Sequence, residues 1–148
     1  STSPKWENQI WNFRNFKIMS SIFTKIVNGE IPAYKVYEDD YFLAFLDVFP
    51  IQKGHTLVIP KKEIDYIFDI EDSLMSEYMV VAKKVAKGIE KVIKCERIGV
   101  AVIGLEVPHA HIHLVPINGV TDIDFSKPKL ELSKDEFSSI AQAIKEAI

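Results

Sequence analysis

The sequence has almost no cysteine and no long apolar run. Cys95 is the only cysteine among 148 residues, which excludes an intramolecular disulfide and suits a reducing compartment. No apolar stretch approaches the roughly 18 residues that span a bilayer. Lys5, Glu7 and Arg14 interrupt any apolar centre of a signal peptide. These features predict a cytoplasmic protein without a membrane partner.

Neither positive nor negative charge is in large excess. The formal net charge is −3, and lysines and arginines never run more than two in succession. A basic footprint for nucleic acid is therefore not visible, whereas a small phosphate compound needs only a few local donors. With 47% hydrophobic and 26% charged residues, the composition is that of an ordinary globular chain.

The first 18 residues differ from the rest because they contain both tryptophans. They are either an extension ahead of a natural start at Met19, or an amphipathic segment with Trp6, Ile10 and Phe13 at helical spacing. We expect residues 19–148 to form one domain, in which residues 121–148 are a linker and a C-terminal helix.

Apolar periodicity and capping residues predict an α+β domain, an antiparallel five-stranded sheet with one short, one long and one C-terminal helix. Ser20 or Ser21 would cap the short helix, which ends at Val27, and Asp72 would cap the long helix, which reaches about Lys94. A capping box at Ser133 opens the C-terminal helix. The predicted strands are 34–38, 42–46, 55–60, 99–103 and 110–117.

Three of the four histidines, His109, His111 and His113, alternate in one short run. In a strand, alternate residues share a face, so the three imidazoles would project together while the residues between them enter the core. A row of surface histidines without a role is one explanation.

A metal site is a second explanation. The outer histidines of an extended strand lie roughly 13 Å apart, whereas ligand nitrogens bind zinc at about 2.0–2.1 Å. At most two of the three could therefore share an ion, and His55 or a carboxylate would have to complete the site.

Nucleophilic chemistry at phosphorus suits the row better. A neutral imidazole, available near pH 7 because its free pKa is about 6.5, can attack through one nitrogen when the other is held protonated. A flanking protonated histidine would offset charge on the phosphoryl oxygens.

The run resembles the H-x-H-x-H motif of the histidine triad family, preceded by Val107-Pro108 as in many members. Upstream segments resemble that family in the same order, so the resemblance covers residues 20 to about 117. These segments are Ile22–Val27, Gly29–Pro32, Glu38–Asp40, Ala44–Asp47 and Gly54–Lys62.

The resemblance implies a role for each histidine. His111 matches the nucleophile that forms a covalent nucleotidyl-histidine, and His113 matches the donor to a phosphate oxygen. His109 matches the residue whose carbonyl fixes the tautomer of the nucleophile, and His55 matches the fourth histidine behind the triad.

The resemblance also implies a nucleotide site. Asp47 matches the carboxylate that accepts from the ribose hydroxyls, although it could equally cap a turn before Pro50. Five apolar residues match the slot for the base, and simple core packing is the alternative for each. They are Ile22, Phe23, Ile26, Val48 and Leu57.

Because the last triad position is His113 rather than Gln, the chain resembles the hydrolases of the family and not its sugar-phosphate uridylyltransferases. In length it resembles the small bacterial-type branch, whose members are homodimers that hydrolyse nucleoside phosphoramidates such as adenosine monophosphoramidate. The resemblance implies a small nucleotide substrate, with a purine base, and no cofactor. Hydrolysis of dinucleoside polyphosphates, or nucleotide sensing with little turnover, are the alternatives.

Two departures from the family pattern matter. Ser21, Thr24 and Glu63 stand where some relatives carry zinc ligands, so we expect no metal. The loop before the triad is short: Leu105 replaces a usual Gln, and Glu106 lies where relatives carry Ser, Thr or Glu. We expect both residues to border the nucleotide site.

Overall fold

The structure, a computed structural model, describes residues 20–148; the expected extension at residues 1–18 and the start at Met19 lie outside the described residues. Short 3-10 turns at Ile67–Asp69 and Val120–Ile123 join the main elements. The main elements are α1 (Ile22–Val27), β1 (Lys35–Glu38), β2 (Phe42–Leu46), β3 (Thr56–Pro60), α2 (Asp72–Val92), β4 (Arg97–Ala101), β5 (Ile112–Ile117) and α3 (Lys134–Ala147).

The five strands form an antiparallel sheet in the order β1-β2-β3-β5-β4. This confirms the predicted α+β class. In the central part of the sheet, His113 of β5 lies opposite Leu57 of β3 and opposite Ala101 of β4. The sheet therefore presents His113 between two strands on one of its faces.

Both faces of the central strands β2, β3 and β5 are buried, because alternate side chains enter different apolar clusters. One cluster joins Ala44, Val58 and Ile112 to α2 and α3, and the buried Tyr78 hydroxyl donates to Val58 O at 2.6 Å. The other cluster joins the intervening residues, such as Phe45 and Leu57, to α1. His113 belongs to the α1 face, since its neighbours Ile112 and Leu114 face α2.

One apolar face of α2 packs on the sheet, with Tyr78, Ala82, Val85 and Ile89 buried, as the apolar periodicity of the long helix predicts. The predicted ends need correction. Glu71 precedes the first turn as the capping residue without a side-chain capping bond, and the helix ends at Val92. Asp72 lies in the first turn instead, where its negative charge suits the helix dipole.

Gly88 of α2 permits a close helix contact. A Cβ at this position would lie 2.5 Å from Ile148 Cγ1. The predicted capping box of α3 is present, because Ser133 Oγ accepts from the Glu136 amide at 3.1 Å. None of the helices within residues 20–148 is long and apolar enough to cross a membrane.

The bounds of the last two strands differ from the prediction, because β4 lies two residues earlier and β5 is two residues shorter. β4 occupies Arg97–Ala101 instead of 99–103, and β5 begins at Ile112 instead of Ala110. The reason is that the Ala110 amide donates to Ile64 O at 2.7 Å, in the loop after β3, and not to a neighbouring strand. Of the triad, only His113 lies within a strand.

Candidate active site

The four histidines of the chain converge on the α1 face of the sheet. His111 directly precedes β5, His109 lies two residues before His111, and His55 directly precedes β3. The ring centroids of His111 and His113 are 5.0 Å apart, and those of His55 and His113 are 5.2 Å apart. All four side chains are buried, with relative exposures between 0% and 8%. The expectation that the triad rings lie together therefore agrees with the geometry, although a strand holds only one of them.

The tautomer of His109 is set by its two ring contacts. Its Nε2 lies 2.7 Å from Pro60 O, which can only accept, so Nε2 carries the proton. The Nδ1 atom then accepts from Ser21 Oγ at 2.8 Å. Burial lowers the pKa of His109 below its ordinary value, which keeps the ring neutral near pH 7.

His111 receives its orientation from the backbone of His109. Its Nδ1 lies 2.8 Å from His109 O, and this carbonyl requires a proton on Nδ1. The lone pair is therefore on Nε2. Burial lowers the pKa of His111, while the bond to His109 and the charge of Glu106 oppose that shift. The result is a neutral imidazole with one nitrogen prepared for nucleophilic attack.

A second chain of hydrogen bonds orients His113. The Ile51 amide donates to His55 Nδ1 at 3.1 Å, so the proton of His55 is on Nε2. That Nε2 lies 2.9 Å from His113 Nδ1 and donates to it. His113 must then carry its own proton on Nε2, where it can donate to a bound group.

Burial lowers the pKa of both His55 and His113 to about 3, assisted by neighbouring positive charge. This lowering disfavours a protonated His113, the flanking cation proposed from the sequence, in the ligand-free protein. His113 is a neutral donor, and its donating ability comes from a fixed tautomer rather than from positive charge.

Asp47 lies beside this chain, with Oδ2 at 3.6 Å from His55 Nε2. Its Oδ1 accepts from the Phe49 amide at 2.8 Å, so the turn-capping alternative describes one of its oxygens. Burial raises the pKa of Asp47 to about 6. Oδ2 is the oxygen that could accept from a sugar hydroxyl.

Asp47, His55 and His113 also have the composition of a metal site, since their ligand atoms lie within 4.8 Å of one another. The donor set does not fit an ion well. A metal on His55 Nε2 would move the proton to Nδ1, where it would face the amide proton of Ile51. The hydrogen-bond chain accounts for the convergence of His55 and His113 without an ion, and the bond from the Phe49 amide holds Asp47 beside them.

The five residues expected in the base slot are not all together. Ile22, Phe23, Ile26 and Leu57 share one buried cluster on the α1 face, whereas Val48 is 48% exposed beside Asp47. Phe23 is the member that reaches the histidines, with its ring centroid 5.1 Å from that of His111.

Leu105 and Glu106 lie in the loop between β4 and the triad. Both are exposed, Leu105 to 81%. The charge of Glu106 raises the pKa of both His111 and Asp47, so its carboxylate acts on the site. The expected proximity of Glu106 to the site thus has electrostatic support.

Two residues of the predicted linker border the site and were not anticipated. The Phe125 ring packs edge-on against His113, with centroids 4.7 Å apart, and approaches His55 at 6.0 Å. Lys129 Nζ donates to Phe125 O at 2.7 Å, and its charge lowers the pKa of Asp47, His55 and His113. The available signal in the sequence was an aromatic residue between Asp124 and Ser126 in a predicted linker.

Comparisons with known proteins agree on one family. The family model described as HIT domain matches residues 28–119. An uncharacterized HIT-like protein of Borreliella burgdorferi is 35% identical over 131 residues, covering 83% of this chain and 94% of that protein. Adenosine 5'-monophosphoramidase hnt1 of Schizosaccharomyces pombe is 34% identical and covers 88% of this chain and 99% of that protein.

A solved structure is similar over nearly its whole length. The Hit-like protein from Bartonella henselae, described as involved in cell-cycle regulation, superposes with a TM-score of 0.76 at 29% identity. The match covers 87% of this chain and 96% of that chain.

Proposed function

This chain belongs to the HIT domain family, and we propose that it hydrolyses a nucleoside phosphoramidate, or a related nucleotide, through a covalent intermediate on His111. The observation that carries the proposal is the 2.8 Å bond between His111 Nδ1 and His109 O, which leaves the Nε2 lone pair available. The name of the Schizosaccharomyces pombe relative supports the substrate class.

Substrate binding would divide between the two sides of the triad. Asp47 Oδ2 would accept from the ribose hydroxyls, and the apolar cluster around Phe23 would contact a purine base. Phosphorus would then lie against His111 Nε2, because His111 is between Phe23 and His113. A nucleophile held at the reacting atom removes much of the entropic cost of the reaction.

The reaction would proceed by double displacement. The bond from His111 Nε2 to phosphorus forms as the substrate's phosphorus–nitrogen bond breaks, and the departing nitrogen takes a proton from solvent and leaves as ammonia. Water then attacks phosphorus, the bond to His111 Nε2 breaks with its electron pair returning to the ring, and the water proton passes to solvent, which leaves a nucleoside monophosphate. His113 would donate from Nε2 to a phosphoryl oxygen in both steps. This donor is fixed before substrate arrives, so it needs no reorganisation in the transition state.

We further propose a cytoplasmic homodimer that contacts through α2 and β4. β4 pairs with β5 on one side, and its Val100 is 56% exposed. On α2, Met79 and Val80 are 47% and 61% exposed. Exposed apolar side chains on an edge strand and a nearby helix are typical of a protein interface.

The decisive experiment is a turnover panel of adenosine monophosphoramidate, dinucleoside polyphosphates and nucleoside monophosphate esters, run with a metal chelator. We expect fastest turnover of the phosphoramidate and an acid-labile nucleotidyl adduct on His111 after quenching. His111→Ala should lower kcat by several orders of magnitude while nucleotide binding changes only a few fold.

Each other outcome would identify a different function. Faster turnover of dinucleoside polyphosphates would replace the proposed substrate, and tight binding without turnover would indicate a sensor. Substantial activity in His111→Ala, or the absence of an adduct, would contradict the covalent mechanism.

A further inference from the structure

A hydrogen-bonded cluster on the far side of His109 links α1, the loop after β3 and the triad. Glu63 Oε1 accepts from the Ser21 amide at 2.5 Å and from Thr24 Oγ1 at 2.7 Å. Ser21 Oγ lies 2.8 Å from His109 Nδ1 and also accepts from the Thr24 amide at 3.0 Å. Hydrogen bonds thus connect Ser21 and Thr24 at α1, Glu63 in the loop after β3, and the buried ring of His109.

The proton on each atom of the cluster can be assigned. Because His109 Nε2–H donates to Pro60 O, Nδ1 can only accept, and its 2.8 Å contact assigns the Ser21 Oγ proton to it rather than to Thr24 Oγ1 at 3.2 Å. The hydroxyl of Thr24 donates to the Glu63 carboxylate. Although burial opposes it, these hydrogen bonds hold the pKa of Glu63 below its ordinary value, so the acceptor is ionised near pH 7.

Glu63 therefore keeps a competing donor away from the histidine. Thr24 Oγ1 lies 3.4 Å from His109 Nδ1, close to hydrogen-bond distance. Without Glu63 as acceptor, the Thr24 hydroxyl is released to compete with Ser21 for that nitrogen. The Ser21 amide also loses its partner, so the side chain that fixes the His109 ring becomes less well held.

We propose that Glu63 is a positioning residue for the nucleophile: through Ser21 it holds the ring of His109, and with it the carbonyl that keeps the proton of His111 on Nδ1. The inference rests on the proposed function for its catalytic consequence. The structural part is independent of it, because the tautomer of His111 is a property of the ligand-free protein.

A set of variants distinguishes the acceptor oxygen of Glu63 from its negative charge. Glu63→Ala removes both, Glu63→Gln keeps an acceptor oxygen, and Ser21→Ala removes the donor to His109. Glu131→Gln is the matched control, an exposed carboxylate in the segment before α3. Thermal unfolding of each variant identifies any general loss of stability.

The two readouts are the tautomer of His111, from nitrogen-resolved NMR of its ring, and the steady-state constants. In Glu63→Ala and Ser21→Ala we expect a measurable Nε2–H population and a fall in kcat of about tenfold, with KM changed less than about threefold. Glu63→Gln should retain most of the activity, and Glu131→Gln should match wild type.

An unchanged His111 tautomer in Glu63→Ala and Ser21→Ala would overturn the inference, whatever happens to the melting temperature. In that case the cluster only connects α1 to the loop after β3. If wild type forms no adduct on His111, the proposed function fails, and the tautomer measurement still decides the positioning role.

Discussion

His55 Nε2 lies 2.9 Å from His113 Nδ1, and the proton of this buried contact belongs to His55. The assignment follows because the Ile51 amide donates to the other nitrogen of His55. The backbone amide of Ile51 thus determines, through His55, which nitrogen of His113 can donate to substrate.

We expect His55→Leu to lower kcat by about tenfold to a hundredfold, because His113 would lose the donor that fixes its tautomer. His55→Gln should recover part of the loss, since its amide can still donate to His113 Nδ1. Steady-state kinetics on a phosphoramidate test both. Equal activity of the two variants would contradict a role for the donated proton.

The pKa of Asp47 predicts how stability depends on pH. Its folded value of about 6 is above the ordinary 3.8, so the folded protein binds this proton more tightly than the unfolded chain. The associated stability is present below about pH 4 and is lost as pH rises through 6. Asp47→Asn should therefore raise the free energy of unfolding at pH 7, by at most about 2–3 kcal/mol.

Urea unfolding at pH 4 and pH 7 measures this effect, and the gain in Asp47→Asn should largely disappear at pH 4. A gain of the same size at both pH values would mean that packing, rather than ionisation, distinguishes the variant. Asp40→Asn, a change at an exposed aspartate in the β1–β2 turn, is the matched control.

Phe125 is expected to restrict the ring of His113. Phe125→Ala should lower kcat more than it raises KM, because the edge-on contact at 4.7 Å holds the donor in place. Phe125→Leu, which keeps much of the apolar volume, should be the milder change. If KM alone rises, Phe125 contacts substrate instead of positioning His113.

Leu105 tests the shortened loop before the triad. It is 81% exposed, so Leu105→Gln should change the free energy of unfolding by less than about 0.5 kcal/mol. A Gln there can donate to the leaving group, and we expect a higher kcat on a small phosphoramidate and a lower kcat/KM on a bulky aryl one. Equal changes on both substrates would show that Leu105 does not face the leaving group.

Light scattering at micromolar concentration should show a dimer, and Val80→Lys together with Val100→Glu should convert it to a folded monomer. Lys127→Glu, a charge reversal at an exposed residue between the Val120–Ile123 turn and α3, should leave the dimer intact. A monomeric wild-type protein would contradict the proposed interface.

The alternation of apolar residues and histidines before and within β5 was sufficient to predict the convergence of His109, His111 and His113. Ala110, Ile112 and Leu114 indeed enter the opposite core. The start of the strand could not be predicted in the same way, because the Ala110 amide is satisfied by Ile64, which is distant in sequence.

The contacts that orient the histidines are likewise long-range. No local pattern assigns Ile51, Glu63 or Phe125 its contact with a histidine or with the residues that hold one, since each contact forms only after a separate segment folds onto the site. Val48 was assigned to the base slot by resemblance alone, and its 48% exposure separates it from the buried cluster around Phe23, so its role in binding stays a prediction.

The backbone amide of Asp47 donates to His55 O at 2.9 Å, so the two residues close a loop across positions 47–55. In the proposed reaction, Asp47 accepts from the sugar hydroxyls, and His55 fixes which nitrogen of His113 donates to the phosphoryl group. The backbone hydrogen bond between Asp47 and His55 therefore couples the positions of these two parts of the site. A nucleotide without its ribose hydroxyls would leave Asp47 unengaged beside the proton chain of His55 and His113. Discrimination against deoxyribonucleotides would therefore be expressed in the rate of the chemical step as well as in affinity.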